Sequence, residues 1–208
     1  MRKLQTALYG RCTGVQKNGS QCIIPVMTMV SPVASYTPED LLELDGLFEL
    51  VDGQLVEKPM SFLAGETASI ITFLLRSYLQ ANPGGRLSSE ATFRCFPQDP
   101  DLIRRPDIAF IAAARAKSVP DEGHVTIPPD LAIEVISPGD KINDFEDKLA
   151  DYRSAGIKLV WEVNPTFRYV RIHHPDRSTV LLEENDTLTG ESVLPGFSVK
   201  VGHLMPAV

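Results

Sequence analysis

The chain has 208 residues, 43% hydrophobic and 23% charged, which is the composition of a globular domain and not of a collagen, a coiled coil or a disordered protein. Its net charge of −7 argues against a protein that coats nucleic acid through a basic surface. No apolar run reaches the roughly 18 to 20 residues of a bilayer span, and three scattered cysteines suit neither a disulfide framework nor a zinc knuckle, so we expect a protein of the reducing cytoplasm that does not enter a membrane.

The first 35 residues differ in charge from the rest. They contain four basic residues and no acidic one, whereas residues 36–208 carry a net charge of −11. The segment lacks the apolar stretch of a secretory signal and shows no amphipathic stripe. We therefore predict a disordered tail over 1–35 and one domain over 36–208. Alternatively, translation begins at Met27 or Met29.

The domain is expected to open with a short helix and a hairpin. Thr37 has the side chain of an N-cap and is followed by a proline, and the helix is predicted to close at Gly46. Phe48–Val51 and Gln54–Glu57 flank an Asp-Gly pair, which tolerates the positive φ of a two-residue turn. The pattern therefore predicts an N-terminal hairpin.

Two longer helices and six further strands follow in the prediction. Apolar residues at helical spacing indicate an amphipathic helix over about 62–81. A second helix is predicted to have Asp144 as its N-cap, with Asp147 three residues on, and to end at Gly156. The predicted strands are 87–96, 107–111, 131–136, 158–163, 168–173 and 179–182.

The order helix, three strands, helix, strand is typical of a one-domain α/β protein with a mixed central sheet. We expect helices to cover both faces of this sheet near its middle. The hairpin and the last two strands would then be additions to the core.

One carboxylate interrupts the most apolar strand. Residues 131–136 are apolar except for Glu134. Burying an unpaired carboxylate costs several kcal/mol, so Glu134 requires an arginine, a metal ion or a proton. On its own, Glu134 would be explained by a buried ion pair.

A second carboxylate stands at the start of the preceding strand. Asp107 follows Arg104, Arg105 and a proline. Two carboxylates on neighbouring strands repel each other unless a cation lies between them, and hard oxygen ligands suit Mg²⁺ or Mn²⁺. Taken alone, Asp107 could instead be a strand-start residue paired with Arg104 or Arg105.

A lysine on the second long helix completes the set. Lys148 lies on the same side as Phe145, Leu149 and Tyr152, the apolar stripe of that helix. It should therefore face the sheet. Either its stem packs while the ammonium reaches solvent, or the ammonium reaches the two carboxylates.

These residues carry a resemblance to a known family. Pro106-Asp107, followed by Glu134 on the next strand, resembles the PD-(D/E)XK nuclease superfamily. More narrowly, an ordered series of short motifs across about residues 36–200 is similar to the Uma-two family of bacterial restriction-endonuclease-like proteins. The motifs are 36–42, 48–53, 105–107, 131–138, 147–149, Tyr152, 155–157 and 161–163.

The resemblance implies a restriction-endonuclease-like fold and a metal-dependent phosphodiesterase. Asp107 and Glu134 would be the ligands of Mg²⁺ or Mn²⁺. Many superfamily members have a lysine two residues after the glutamate, where this chain has Ile136, and Lys148 is then the natural substitute. Glu49 matches a recurrent acidic position and would complete the metal shell, unless it is simply an exposed strand carboxylate.

The resemblance also implies that the partner is nucleic acid, and duplex DNA is the substrate that we expect. Lys148 would orient the attacking water or stabilise the developing charge. Since the strands at 168–173 and 179–182 would expose unpaired backbone groups, we also predict a homodimer. The basic residues considered for contacts with the nucleic-acid backbone are Arg76, Arg94, Arg104, Arg105 and Lys141.

Two other classes of function remain open. The chain could be a nuclease-fold module that binds DNA or protein without catalysis, which Ile136 would favour. It could also be a structural or small-molecule-binding domain in which Glu134 is only ion-paired.

Overall fold

The computed structural model describes residues 35–207. The tail predicted over 1–35 lies outside this range except for Ser35, and so do Cys12 and Cys22. Over the described part of the chain, no helix combines the length and the apolar character needed to cross a membrane.

A short helix and a hairpin begin the described chain. Helix α1 (Pro38–Leu42) is held by a capping box at Thr37. Strands β1 (Phe48–Val51) and β2 (Gln54–Glu57) pair antiparallel in the predicted register, and both turn residues have positive φ. The hairpin is confirmed, whereas the helix ends four residues before the predicted Gly46.

The long helix α2 (Phe62–Ala81) has the predicted limits. The Ser61 hydroxyl accepts a hydrogen bond from the Ala64 N–H at its start. Ile71 and Leu75 are fully buried on the side that faces the sheet. The helix ends where the Asn-Pro-Gly-Gly sequence begins.

A six-stranded mixed sheet forms the centre of the fold, with the short helix α3 (Ala113–Ala116) after its second strand. Only the third and fourth strands are parallel to each other, which confirms the mixed sheet. The predicted strand 87–96 is shorter than expected, because Glu90 has a φ of 55° and the chain leaves the sheet there. In spatial order the strands are β3 (Gly85–Ser89), β4 (Ile108–Ala112), β5 (Leu131–Val135), β6 (Leu159–Asn164), β7 (Tyr169–His173) and β8 (Thr179–Glu183).

Helix α4 (Ile142–Ser154) connects the parallel strands β5 and β6. The prediction of Asp144 as N-cap is wrong, since Lys141 holds that position and Asp144 lies in the first turn. An aspartate there still interacts favourably with the helix dipole. The predicted end is confirmed, because Gly156 follows the helix with a φ of 77°.

The two faces of the sheet bury separate cores, as predicted. Ile133 and Trp161 pack with α2 on one face. Ala132 packs with Leu149 and Tyr152 of α4 on the other. Since side chains alternate along a strand, Glu134 points toward α4.

The C-terminal hairpin was missed by the sequence analysis. It consists of β9 (Thr187–Gly190) and β10 (Leu194–Lys200), followed by a 3₁₀ turn (Val201–Leu204). Leu188 and Phe197 of this hairpin join the core on the α2 face.

Candidate active site

The sheet brings the two predicted carboxylates together. Because β4 and β5 are antiparallel, with Ile108 opposite Ile133, the start of β4 meets the end of β5. Asp107 is 4% exposed and Glu134 5% exposed. The Val135 N–H donates to Asp107 Oδ2 at 2.6 Å, which fixes that carboxylate at the strand end.

Lys148 faces the sheet, as the apolar stripe of α4 predicts, but of the two predicted carboxylates it contacts Glu134 and not Asp107, and its second partner is Glu49. Its Nζ lies 3.2 Å from Glu134 Oε2 and 3.1 Å from Glu49 Oε1. The expectation that its ammonium could instead reach solvent is therefore wrong, because the side chain is only 13% exposed and the ammonium lies between two carboxylates. The Tyr152 hydroxyl from the next turn donates to Glu134 Oε1.

Glu49 is a buried residue, and the alternative of an exposed strand carboxylate is wrong. It is 1% exposed and accepts hydrogen bonds from Arg104 Nη1 at 3.0 Å and from the Arg105 N–H at 2.9 Å. Burial opposes its ionisation, but the positive charges of Lys148, Arg104 and Lys58 and the hydrogen bond from the Arg105 N–H outweigh burial and lower the pKa of Glu49 to about 2. Glu49 therefore stays negative and holds Lys148 in place.

Lys58 is a site residue that the sequence analysis missed. It directly follows β2, and its Nζ donates to Asp107 Oδ1 at 2.7 Å and to the Arg105 carbonyl at 2.5 Å. The same atom lies 3.9 Å from Glu134 Oε2. Asp107 is thus paired with Lys58, and the suggested pairing with Arg104 or Arg105 is wrong. No local spacing could have found a contact between residues 49 positions apart.

Glu90 is the second missed residue. Its carboxylate lies 3.7 Å from Lys58 Nζ, and neither of its oxygens has a hydrogen-bond partner within the described residues. Burial raises the pKa of Glu90 to about 7, with Asp107 and Glu134 adding to the rise and Lys58 opposing it.

The pKa values of Lys58, Lys148 and Glu134 are all raised. Burial would lower the pKa of Lys148, but Glu134 and Glu49 outweigh it and raise that pKa. Glu134 and Asp107 raise the pKa of Lys58 in the same way. Burial raises the pKa of Glu134 despite the opposing effect of both lysines. Both lysines are therefore fixed positive charges.

Five of these side chains line a cavity of about 340 Å³, namely Glu49, Lys58, Asp107, Glu134 and Lys148. The end of β2 and the start of α4 form its walls. Of the basic residues considered for backbone contacts, Arg104 and Lys141 line it. Arg104 forms ion pairs with Glu49 at 3.0 Å and with Asp151 at 2.5 Å. Among the described residues Lys141 has no such buried partner, so its charge is available to the cavity.

The donor set fits a hard divalent cation. Nowhere in residues 35–207 do three His, Cys, Asp or Glu side chains lie close enough to hold a metal ion by themselves. Mg²⁺, however, is commonly bound by one or two carboxylates together with water and phosphate oxygens. Asp107 and Glu134 already share one cation, the ammonium of Lys58.

The model of one protein family matches residues 38–202, and it is described as "Putative restriction endonuclease". The chain belongs to this family, Uma2. A solved structure, described as that of a "putative nuclease belonging to DUF820" from Anabaena variabilis ATCC 29413, matches the Uma2 chain with a TM-score of 0.68 and 20% identity. The match covers 81% of this chain and 96% of the other. No curated protein matches.

The family and the fold predictions are thereby confirmed. The α2, β3 to β5, α4, β6 order is the predicted core. Membership in Uma2 supports a nuclease and implies a nucleic-acid substrate, and families of this kind generally use divalent metal ions.

Proposed function

We propose that this Uma2 protein is an endonuclease that hydrolyses phosphodiester bonds in duplex DNA with Mg²⁺ or Mn²⁺. The observation that carries the proposal is the convergence of Asp107, Glu134 and Lys148 at one buried end of the sheet, beside an open cavity. A buried carboxylate whose pKa is raised by burial, as that of Glu134 is, is typical of a functional site when it lies beside a cavity.

Asp107 and Glu134 are the residues that would hold the metal ion. When bound, such an ion activates a water molecule and neutralises charge on the phosphate. The protein fixes both ligands, since the Val135 N–H orients Asp107 and the Tyr152 hydroxyl orients Glu134. These contacts hold the carboxylates before any substrate arrives.

Lys148 supplies the positive charge that the superfamily usually places two residues after the glutamate. Ile136 occupies that position here, and its N–H pairs with the Val163 carbonyl. Lys148 lies 3.2 Å from Glu134, close enough to orient a water molecule held there or to stabilise charge as it develops on the phosphate. Glu49 positions this lysine.

Nicking of a supercoiled plasmid tests the proposal. We expect cleavage with Mg²⁺ or Mn²⁺ that is lost with EDTA, and loss of cleavage in Asp107→Asn and in Glu134→Gln. Asp121→Asn is the matched control, because that carboxylate is 96% exposed in a surface pair with Arg86. Cleavage that survives EDTA, or parental rates in both site variants with circular dichroism unchanged, would contradict the proposal.

Ile136 favours a second candidate, a nuclease-fold module that binds DNA or protein without cutting it. The same plasmid experiment separates the two candidates when it is run beside a gel-shift assay. Retardation of a duplex without cleavage under either metal would favour the binding module.

We also propose a homodimer formed through β8. This strand pairs only with β7 in the described sheet and leaves Val180 and Leu181 exposed on an open edge. A two-fold dimer would cover this edge and present one site to each strand of a duplex. One chain has a mass of 22.9 kDa, and light scattering should therefore report twice that mass. A single-chain mass at micromolar concentration would contradict the dimer.

A further inference from the structure

We propose that Lys58 is a built-in cation of the site, and that a divalent metal ion binds by displacing its ammonium. The inference rests on the proposed function, because it assumes that Asp107 and Glu134 are the metal ligands. It adds a residue that neither the motifs nor the family match assigns.

Lys58 Nζ is surrounded by oxygen atoms of the kinds that bind a hard metal ion. The atom contacts Asp107 Oδ1 at 2.7 Å and the Arg105 carbonyl at 2.5 Å, with Glu134 and Glu90 oxygens at 3.9 and 3.7 Å. Carboxylate and carbonyl oxygens are also the ligands of Mg²⁺ and Mn²⁺. The ammonium thus stands where the two carboxylates would hold a metal ion.

The fold holds Lys58 in this position. The hairpin ends at Glu57, and the Lys58 N–H donates to the Leu47 carbonyl at 2.9 Å, which anchors the residue beside the site. Its side chain is only 14% exposed, although lysines usually extend their ammonium into solvent. The charge is therefore part of the site and not a surface group that happens to lie near it.

Lys58 and Lys148 approach the same carboxylate but have different second partners. Both ammonium groups approach Glu134 Oε2, at 3.9 and 3.2 Å respectively. Lys148 is held from its other side by Glu49, whereas Lys58 is held through Asp107, the other predicted ligand. A divalent ion between Asp107 and Glu134 would repel Lys58 at short range, so the two cations compete and Lys58 lowers the affinity for metal.

Calorimetric titration of Mn²⁺ into the full chain tests this competition without relying on cleavage. Lys58→Met removes the charge and keeps an unbranched side chain of similar length. We expect this variant to bind Mn²⁺ about tenfold more tightly than the parent, or tighter still, within the usual range of coupling between two binding events. Lys117→Met, at an exposed position, should bind as the parent does.

Thermal unfolding gives a second measurement, which still reports if the variant is less stable. Without metal, Lys58→Met should melt below the parent, because the carboxylates lose their cation. Mn²⁺ should then raise its melting temperature more than that of the parent. Lys58→Gln should behave in the same way, and Lys58→Met combined with Glu134→Gln should lose the gain.

Three outcomes would overturn the inference. Equal Mn²⁺ affinity in the parent and Lys58→Met would do so, and so would a gain in affinity that persists when Glu134→Gln is added. Metal binding by neither protein would overturn it together with the metal site of the proposed function. If affinities are equal and the plasmid is still cut in a metal-dependent way, the proposed function stands and only the role of Lys58 is wrong.

Discussion

Two buried glutamates lie side by side on parallel strands, and only one of them belongs to the candidate site. Glu134 on β5 and Glu162 on β6 are register partners, and each is 5% exposed. Both point toward the α4 face. By sequence pattern and by burial the two residues are equivalent.

Their partners separate them. Glu162 accepts hydrogen bonds from Arg171, His173 and Tyr169, all on the adjacent strand β7, and these outweigh burial and lower its pKa. Glu134 has partners from distant parts of the chain, competes with other carboxylates for them, and has a raised pKa because of burial. A buried carboxylate alone therefore does not mark a site. Its sharing of cations with other carboxylates does.

Replacing each glutamate by glutamine should give the largest difference between the two residues. Glu134→Gln should reduce metal-dependent cleavage by about 10³-fold or more, at the upper end of the loss expected for a preorganised electrostatic group. Glu162→Gln should cleave at nearly the parental rate but unfold more easily, by about 2 kcal/mol, because Arg171 and His173 lose a charged acceptor. Single-turnover cleavage and urea unfolding measure the two effects.

The opposite pattern would refute the distinction between the glutamates. If Glu162→Gln lost cleavage while remaining as stable as the parent, the site would extend across β6.

Lys148→Ala should have the next largest effect. The Lys148 ammonium is the cation between Glu134 and Glu49, so its removal should lower turnover by about 10²-fold if it acts on the transition state. Lys117→Ala serves as the control, because that lysine is exposed and lies outside the cavity. Parental cleavage by Lys148→Ala, with Asp107→Ala and Glu134→Ala inactive, would make the lysine structural.

Arg104→Gln should act through Glu49 and have a smaller effect. Arg104 holds Glu49 at 3.0 Å, and Glu49 in turn holds Lys148. Loss of such a supporting residue typically costs about 10-fold to 100-fold in activity or metal affinity, and we expect the lower end. Arg104→Lys keeps the positive charge and should recover part of the rate. If both variants cleaved at the parental rate, Arg104 would act only on stability.

Local sequence patterns were sufficient for most of the fold. The Asp-Gly turn needs positive φ at two adjacent residues, and that requirement placed the first hairpin in its register. The apolar period of α2 and the capping serine before it gave that helix its limits. The hairpin of β9 and β10 was missed because the second strand contains a proline and a glycine and carries a register shift, which break the alternation.

The candidate site was predictable only where a residue stood out from its own element. Glu134 interrupts an apolar strand, and Lys148 lies on an apolar stripe, so both could be found. Lys58 directly follows a hairpin strand, and nothing in the local sequence pattern indicates that its side chain is buried. Its importance comes from long-range contacts, which composition and spacing do not record.

The smallest expected effect is on the pH dependence of the unfolding free energy, and it concerns Glu162. Because its partners lower its pKa, Glu162 contributes stability that is fully present above the ordinary glutamate value of 4.5 and is lost as pH falls below it. Glu162→Gln has no proton to bind there. The difference in unfolding free energy between the parent and this variant should therefore shrink between pH 6 and pH 3, as measured by urea unfolding. Both proteins keep Glu134, so its opposite contribution cancels in this difference. If the difference in unfolding free energy instead grew on acidification, the charged form of Glu162, like that of Glu134, would be disfavoured in the folded protein.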